Sequence, residues 1–177
     1  SAIYIVATPI GNLSDITLRA IEVLKAVDVI AAEDTRHTRR LLDHHGVSTK
    51  MMSLHEHNES EKSNYIIERV KAGESLALVS DAGTPLISDP GYTLVHRAKE
   101  NGVKVVPVPG PSALIAALSS SGIASDKFIF EGFLPAKAKG KEEVLSSYLT
   151  ERRSVIFYES PHRILSTIEA MTKVFGD

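Results

Sequence analysis

Ser80-Asp81-Ala82-Gly83-Thr84-Pro85-Leu86-Ile87-Ser88-Asp89-Pro90-Gly91 is the segment that most restricts the fold. It follows the apolar run Leu76-Ala77-Leu78-Val79, which reads as a buried strand, and precedes a stretch with Leu94, Val95 and Ala98 at helical spacing. Two Gly, two Pro and two Asp within twelve residues favour neither element. A rigid polar loop therefore stands at the carboxyl end of a strand, the edge where open α/β sheets take their ligands.

The same alternation runs along the chain. Strands are expected over Ala2 to Ala7, Val29 to Ala32, Lys50 to Leu54, Leu76 to Val79 and Lys104 to Val108. Helices follow them: one capped by Ser14 or Asp15 with Leu18, Ile21 and Leu24 inward, one from Asp34 or Thr35 to Gly46, one through Tyr65, Ile66, Ile67 and Val70, and one capped by Ser112. Strand and helix in turn predict an α/β fold, a mainly parallel open sheet with helices on both faces. The pattern breaks near Ser121-Gly122, so residues 1–120 read as one α/β domain and residues 121–177 as the start of a second, truncated one. The tail carries strands at Phe128 to Phe133 and Val155 to Tyr158, a basic loop from Pro135 to Lys141, and helices from about Glu142 to Leu149 and around Ile164, Leu165, Ile168 and Met171.

Composition narrows the class. With 177 residues, 43% apolar and 24% charged, the chain is long enough for a substantial core and reads as globular. No apolar run reaches transmembrane length and the start lacks a signal-peptide pattern, so the expectation is a cytoplasmic protein with no membrane partner. No Cys is present, which removes disulfides, thiolate nucleophiles and Cys-based zinc sites. A formal net charge of -2 speaks against a polybasic binder but leaves room for one local basic patch.

Phosphate-binding glycine signatures are missing. The turn after the first strand has a single Gly, Gly11, and no Gly-Lys-Ser/Thr run occurs. Instead, four loops rich in small and rigid residues end four strands: Thr8-Pro9, Ser80 to Gly91, Pro107 to Ser112, and Tyr158 to Arg163. Small residues let a flat ligand approach the main chain, and Pro shapes a pocket in advance, although Gly83, Pro85 and Pro90 would serve a plain turn equally well.

Glu33-Asp34-Thr35-Arg36-His37-Thr38-Arg39-Arg40 is the chemically richest stretch. Arg36, Arg39 and Arg40 share overlapping helix faces suited to phosphate contacts, and Asp34 and His37 are spaced for proton transfer. A capped, solvated helix is the plain alternative. Asp89 reads first as a helix cap, whereas Asp81 directly follows a buried strand. His55-x-His57 with Glu56 and Glu59 lacks a third ligand at diagnostic spacing, so no metal is expected.

Together, the segment from Tyr4 to Thr17, Ala32-Glu33-Asp34-Thr35-Arg36, Ser80 to Pro85 with Ser88 to Gly91, Val108 to Ala113, and Phe157-Tyr158-Glu159-Ser160-Pro161-His162-Arg163 resemble the tetrapyrrole methylase superfamily, nearest to its ribosomal branch, which 2'-O-methylates a cytidine of 16S rRNA. The resemblance implies two α/β domains with S-adenosylmethionine in the cleft between them, and about a hundred further residues. It implies cofactor contacts from Pro9, Asp81, Ala82, Gly83, Thr84, Ile87, Ser112, Ala113 and Glu159. Thr84 departs from an Asp of the porphyrin branch, and Glu159 takes the place of a Met there.

On that resemblance Asp34, His37 and Asp81 are candidates for base or orienter, Arg36, Arg39 and Arg40 for RNA contacts, and the partners are 16S rRNA or the small ribosomal subunit and a second copy in a homodimer. The alternatives are a porphyrin-type small-molecule methyltransferase and a noncatalytic RNA-binding or assembly module.

Overall fold

The computed structural model describes residues 1–176 and divides the chain into two compact units, one from Ser1 to Ala113 and one from Leu114 on. The first unit alternates β1 (Ile3–Val6), α1 (Leu18–Ala26), β2 (Val29–Ala32), α2 (Thr35–His44), β3 (Met51–Ser53), α3 (Glu59–Lys71), β4 (Leu76–Val79), α4 (Tyr92–Glu100) and β5 (Val105–Val108). All five strands are parallel, in the order β3-β2-β4-β1-β5. The expected parallel α/β sheet with helices on both faces is present.

Period-two patterning explains the two cores. Ile3, Val29, Ala31, Leu76 and Leu78 point to one face and pack with Ile66, Ile67 and Val70 of α3 and Leu94 and Ala98 of α4. Val6, Ile30, Ala32, Ala77 and Val79 point to the other and meet Ala20 and Leu24 of α1 and Leu42 of α2. The central strands β2 and β4 are buried on both faces, which is why their sequences are uninterrupted apolar runs. Pro107 sits in β5, where the strand is an edge and a missing N–H disrupts no second ladder.

Helix ends correct several sequence expectations. Thr17, not Ser14 or Asp15, caps α1: its hydroxyl accepts the Ala20 N–H at 3.1 Å, while the Ser14 N–H is held by Asn12 at 3.0 Å in the preceding turn. Leu18 is consequently 79% exposed, and the buried face of α1 runs through Ala20 and Leu24. Tyr65 is also exposed, with the Arg69 guanidinium 5.5 Å from its ring centre. Gly91 has no side chain with which to cap α4, so the buried Glu59 of α3 accepts the Leu94 N–H at 3.0 Å.

The second unit contains α5 (Ala113–Ser121) apart from its first residue, then β6 (Phe128–Phe133), α6 (Ala138–Ser146), β7 (Ser154–Tyr158) and α7 (Ile164–Phe175). β6 and β7 form a parallel pair with an irregularity between Phe130 and Gly132. The helix expected from Glu142 starts at Ala138, so half of the presumed basic loop is helical, and Lys141 is buried. No helix among the described residues is long and apolar enough to cross a membrane.

Candidate functional site

Three of the four rigid loops are laced together at the carboxyl edge of the first sheet. After β1, the Thr8 N–H donates to the Gly83 carbonyl at 2.9 Å and the Gly83 N–H returns to the Thr8 carbonyl at 3.0 Å. The Thr8 hydroxyl also donates to the Ser80 carbonyl at 3.2 Å. From the same loop the Thr84 hydroxyl reaches the Pro111 carbonyl, after β5, at 3.0 Å. Gly83 has φ +86°, a conformation that side-chain-bearing residues rarely adopt, and Gly110 lies so close to Ala7 that an added Cβ would stand 3.0 Å from the Ala7 Cβ. The residues at these positions are small because the loops cross at backbone distance.

With both amide groups of Gly83 engaged, the surface offered to a ligand comes from its neighbours. Ala82, Ile87 and Ala113 are exposed, and Pro9, Thr84 and Ser112 are half-buried. Glu159, in the second unit, has a buried carboxylate held at 3.3 Å from the Arg163 Nε.

The Asp81 carboxylate accepts the Asp34 N–H at 3.1 Å, which brings the turns after β4 and β2 together. Asp34 itself caps α2, its Oδ1 accepting the N–H groups of Arg36 at 2.8 Å and His37 at 3.3 Å. Those two backbone donors and the adjacent Arg36 hold its carboxyl below the ordinary range. The Asp34 carboxylate thus meets the main chain of His37, while the His37 ring is exposed. Arg36, Arg39 and Arg40 are also exposed, forming a basic ridge on the first turns of α2. Arg36 adds an ion pair with Asp34 at 3.6 Å.

The site residues that sequence reasoning missed are carboxylates. Glu33, Glu56, Ser88, Asp89 and Pro90 line a pocket of about 320 Å³ beside the ridge. Burial pushes the Glu33 carboxyl up, and repulsion from Asp81, Asp89, Asp34 and Glu56 adds to it. Asp89 is raised in the same way, chiefly by burial, against a lowering hydrogen bond from Ser80. The available signal was the position of Glu33 directly after a fully apolar strand, which places its side chain at the mouth of the sheet. Leu86 and Ser88, with φ of 73° and 62°, turn the loop around this pocket without glycine. His55 and His57 stack edge to face at 6.0 Å, and among the described residues no group of three His, Cys, Asp or Glu could hold a metal ion.

Comparison with known proteins agrees with this architecture. The chain is 55% identical over 175 residues to the ribosomal RNA small subunit methyltransferase I of Escherichia coli O157:H7, an alignment covering 99% of this chain and 61% of that protein. It is 58% identical to the protein of the same name from Vibrio cholerae serotype O1, covering 98% and 60%, and 51% identical to that of Synechocystis sp., covering 98% and 62%. The chain thus spans about three-fifths of the length of the curated relatives it matches. A solved diphthine synthase shares the fold with a TM-score of 0.75 at 18% identity, over 98% of this chain and 71% of that one. The family model for tetrapyrrole (corrin/porphyrin) methylases matches residues 2–177, and the chain belongs to that family.

Proposed function

We propose that this chain is the larger part of an S-adenosylmethionine-dependent methyltransferase that modifies the 2'-hydroxyl of a cytidine in 16S rRNA. The observation that carries the reading is identity above one half, over nearly the whole chain, to proteins named ribosomal RNA small subunit methyltransferase I. The loop set fits the cofactor: a rigid, small-residue edge bordered by Pro9, Asp81, Ala82, Gly83, Thr84, Ile87, Ser112 and Ala113 can receive a flat purine and a zwitterionic tail on main-chain groups.

The cofactor supplies an electrophilic methyl on a sulfonium, and the protein's task is alignment and proton removal. Arg36, Arg39 and Arg40 hold phosphates of the RNA strand. Asp81 orients the turn that carries them through its bond to the Asp34 N–H. Asp34, committed to its cap with a lowered carboxyl, is a weak proton acceptor near neutrality. Exposed His37 is left as a solvent-linked relay beside the strand. Glu33, whose raised carboxyl binds a proton more readily, is the better-matched base for the ribose hydroxyl.

The acidic mouth formed by Glu33, Asp81 and Asp89 also weighs against the porphyrin-type alternative. A carboxylated macrocycle would bring its negative charge against these groups, whereas ribose hydroxyls and the cytosine amino group donate to them. The same reading takes the second unit as the opening of a longer domain and the whole protein as a cytoplasmic homodimer, to be checked by sedimentation at full length.

The test is calorimetric titration of the full-length protein with S-adenosylmethionine, followed by methyl transfer to small-subunit RNA lacking the modification. Methyl appearing on ribose supports the reading. Methyl on a base rejects the reaction type, and absence of cofactor binding returns the protein to the class of RNA-binding modules.

A further inference from the structure

The pocket lined by Glu33, Glu56, Ser88, Asp89 and Pro90 lies between two helix starts. β2 and β4 are parallel neighbours, with Ala32 level with Val79, so the loops that leave them start side by side at the carboxyl edge of the sheet. The first, through Glu33 and Asp34, enters α2, whose Leu42 packs on one face of that sheet. The second, through Asp89 and Pro90, enters α4, whose Leu94 and Ala98 pack on the other. The arginine ridge of α2 and the first turn of α4 therefore flank the pocket from opposite faces of the sheet.

Tyr92 is the first residue of α4, two positions after Pro90, and is 69% exposed. Its ring stacks on that of His96, one turn along the helix, with centres 5.6 Å apart and planes inclined by 10°. The His96 Nε2 lies 3.5 Å from the Glu100 carboxylate a further turn on, which orients the imidazole. With the imidazole against one face, the other face of the phenol ring is left to solvent. Tyr65, the exposed tyrosine of neighbouring α3, instead has the Arg69 guanidinium over its ring. Leu94 and Ala98 carry the contacts of α4 with the core, so packing does not call for an aromatic ring at position 92. An open, oriented ring is what an unstacked nucleobase needs, since every base has a face to lay on it.

We propose that Tyr92, backed by His96, is a stacking platform for an unpaired base of the RNA: a single strand crossing the sheet edge sets phosphates on Arg36, Arg39 and Arg40, one nucleotide in the pocket, and a neighbouring base on Tyr92. The inference rests on the RNA methyltransferase reading above and adds a contact on the far side of the pocket from the arginines. Stacking neutralises no phosphate, so Tyr92 contributes affinity without contributing to its salt dependence.

The experiment is filter binding of the full-length protein to small-subunit RNA lacking the modification, at several salt concentrations, repeated with the assembled small subunit. Tyr92→Ala weakens RNA binding by about tenfold at every salt concentration and leaves the slope of affinity against salt as in the parent. Tyr92→Phe and Tyr92→Trp keep a ring and bind like the parent, while His96→Ala, which frees the tyrosine ring, gives a smaller loss than Tyr92→Ala. Melting temperature and S-adenosylmethionine affinity stay at the parent's values in Tyr92→Ala, which separates a lost RNA contact from a damaged fold. Parent-like RNA affinity in Tyr92→Ala overturns the proposal, and so does an equal loss in Tyr92→Phe, which assigns the contact to the hydroxyl. Weakened binding of Tyr92→Ala to the assembled subunit alone, with protein-free RNA bound as before, also overturns it and makes the ring a protein contact. A parent that binds neither RNA nor subunit removes the RNA methyltransferase reading, and this inference with it.

Discussion

The carboxylate of Asp81 accepts the main-chain N–H of Asp34 at 3.1 Å, across a sequence separation of 47 residues. The loop after β4 thereby braces the turn that starts α2, and the arginine ridge takes its orientation from a residue on another strand. Replacing Asp81 by Ala leaves a partly buried N–H without its partner. The expected loss is about 1–3 kcal/mol in urea denaturation, together with weaker RNA binding, while Asp81→Asn retains an accepting oxygen and most of both.

Arg36, Arg39 and Arg40 are exposed and project from consecutive turns of α2. Under the proposed function, changing all three to Ala is expected to lower RNA affinity and to flatten its dependence on salt, by roughly 0.7 in the logarithmic slope for each phosphate contact to a single strand. Cofactor affinity stays within about twofold of the parent, a change of under half a kcal/mol. Filter binding at several salt concentrations and calorimetry separate the two effects. Equal loss of RNA and cofactor binding would refute this division of labour.

Glu33 and Asp34 are adjacent in sequence, but the proton affinities of their carboxyls are shifted in opposite directions. The Glu33 carboxyl is raised, so its ionised form costs stability, absent at acid pH, appearing as pH climbs above the unfolded carboxyl's value, and fully developed above the folded one. Glu33→Gln therefore raises the melting temperature at neutral pH, by about 1–3 °C, and leaves it unchanged below about pH 4. The lowered Asp34 carboxyl behaves the other way: its contribution is full above the ordinary carboxylate range and fades as pH falls through the folded value. Asp34→Ser keeps a capping oxygen that does not titrate, so its melting curve loses that acid dependence. Thermal scans across pH distinguish both cases.

Gly91 has φ +126°, and a Cβ there would stand 2.7 Å from the Leu78 Cδ2 and 3.0 Å from the Leu86 Cδ1. Gly91→Ala forces an unfavourable backbone conformation and displaces a buried leucine at once. The expected cost is about 2–4 kcal/mol, read as a lower urea midpoint with an unchanged slope.

Glu59 caps a helix that is not its own. Its carboxylate accepts the buried Leu94 N–H at 3.0 Å, joining α3 to the start of α4. Glu59→Ala removes that acceptor and is expected to cost about 2–3 kcal/mol, with Glu59→Gln recovering a large part. Hydrogen exchange at the Leu94 amide should quicken in the Ala variant alone.

Most of the architecture was legible in the chain as a string. Leu76 to Val79 and Val29 to Ala32 announce buried strands because the apolar run itself is the requirement for a parallel strand covered on both faces. Helices followed from apolar spacing, and the loop from Ser80 to Gly91 from residues that fit neither element. Leu18 shows where that local reading stops: its spacing fits an inward face, yet the Thr17 cap sets the start and rotation of α1 and leaves it in solvent. Lys141 falls in a stretch that reads as a basic loop, and only the packing of α6 against α7, with Thr167 as acceptor, gives its ammonium a buried partner.

What the sequence determined by itself was the class of fold, the order of its elements and the set of strand-end loops, all of which depend on patterns within a few residues. What only the tertiary structure decided was which side chains meet. The strand order β3-β2-β4-β1-β5 places Asp81 beside Asp34, crowds Glu33 with Asp81 and Asp89, and brings Thr8 against Gly83. Pairing between strands that are not consecutive carries no local signature, and the burial and fields that shift a carboxyl's proton affinity arise only once those strands stand side by side.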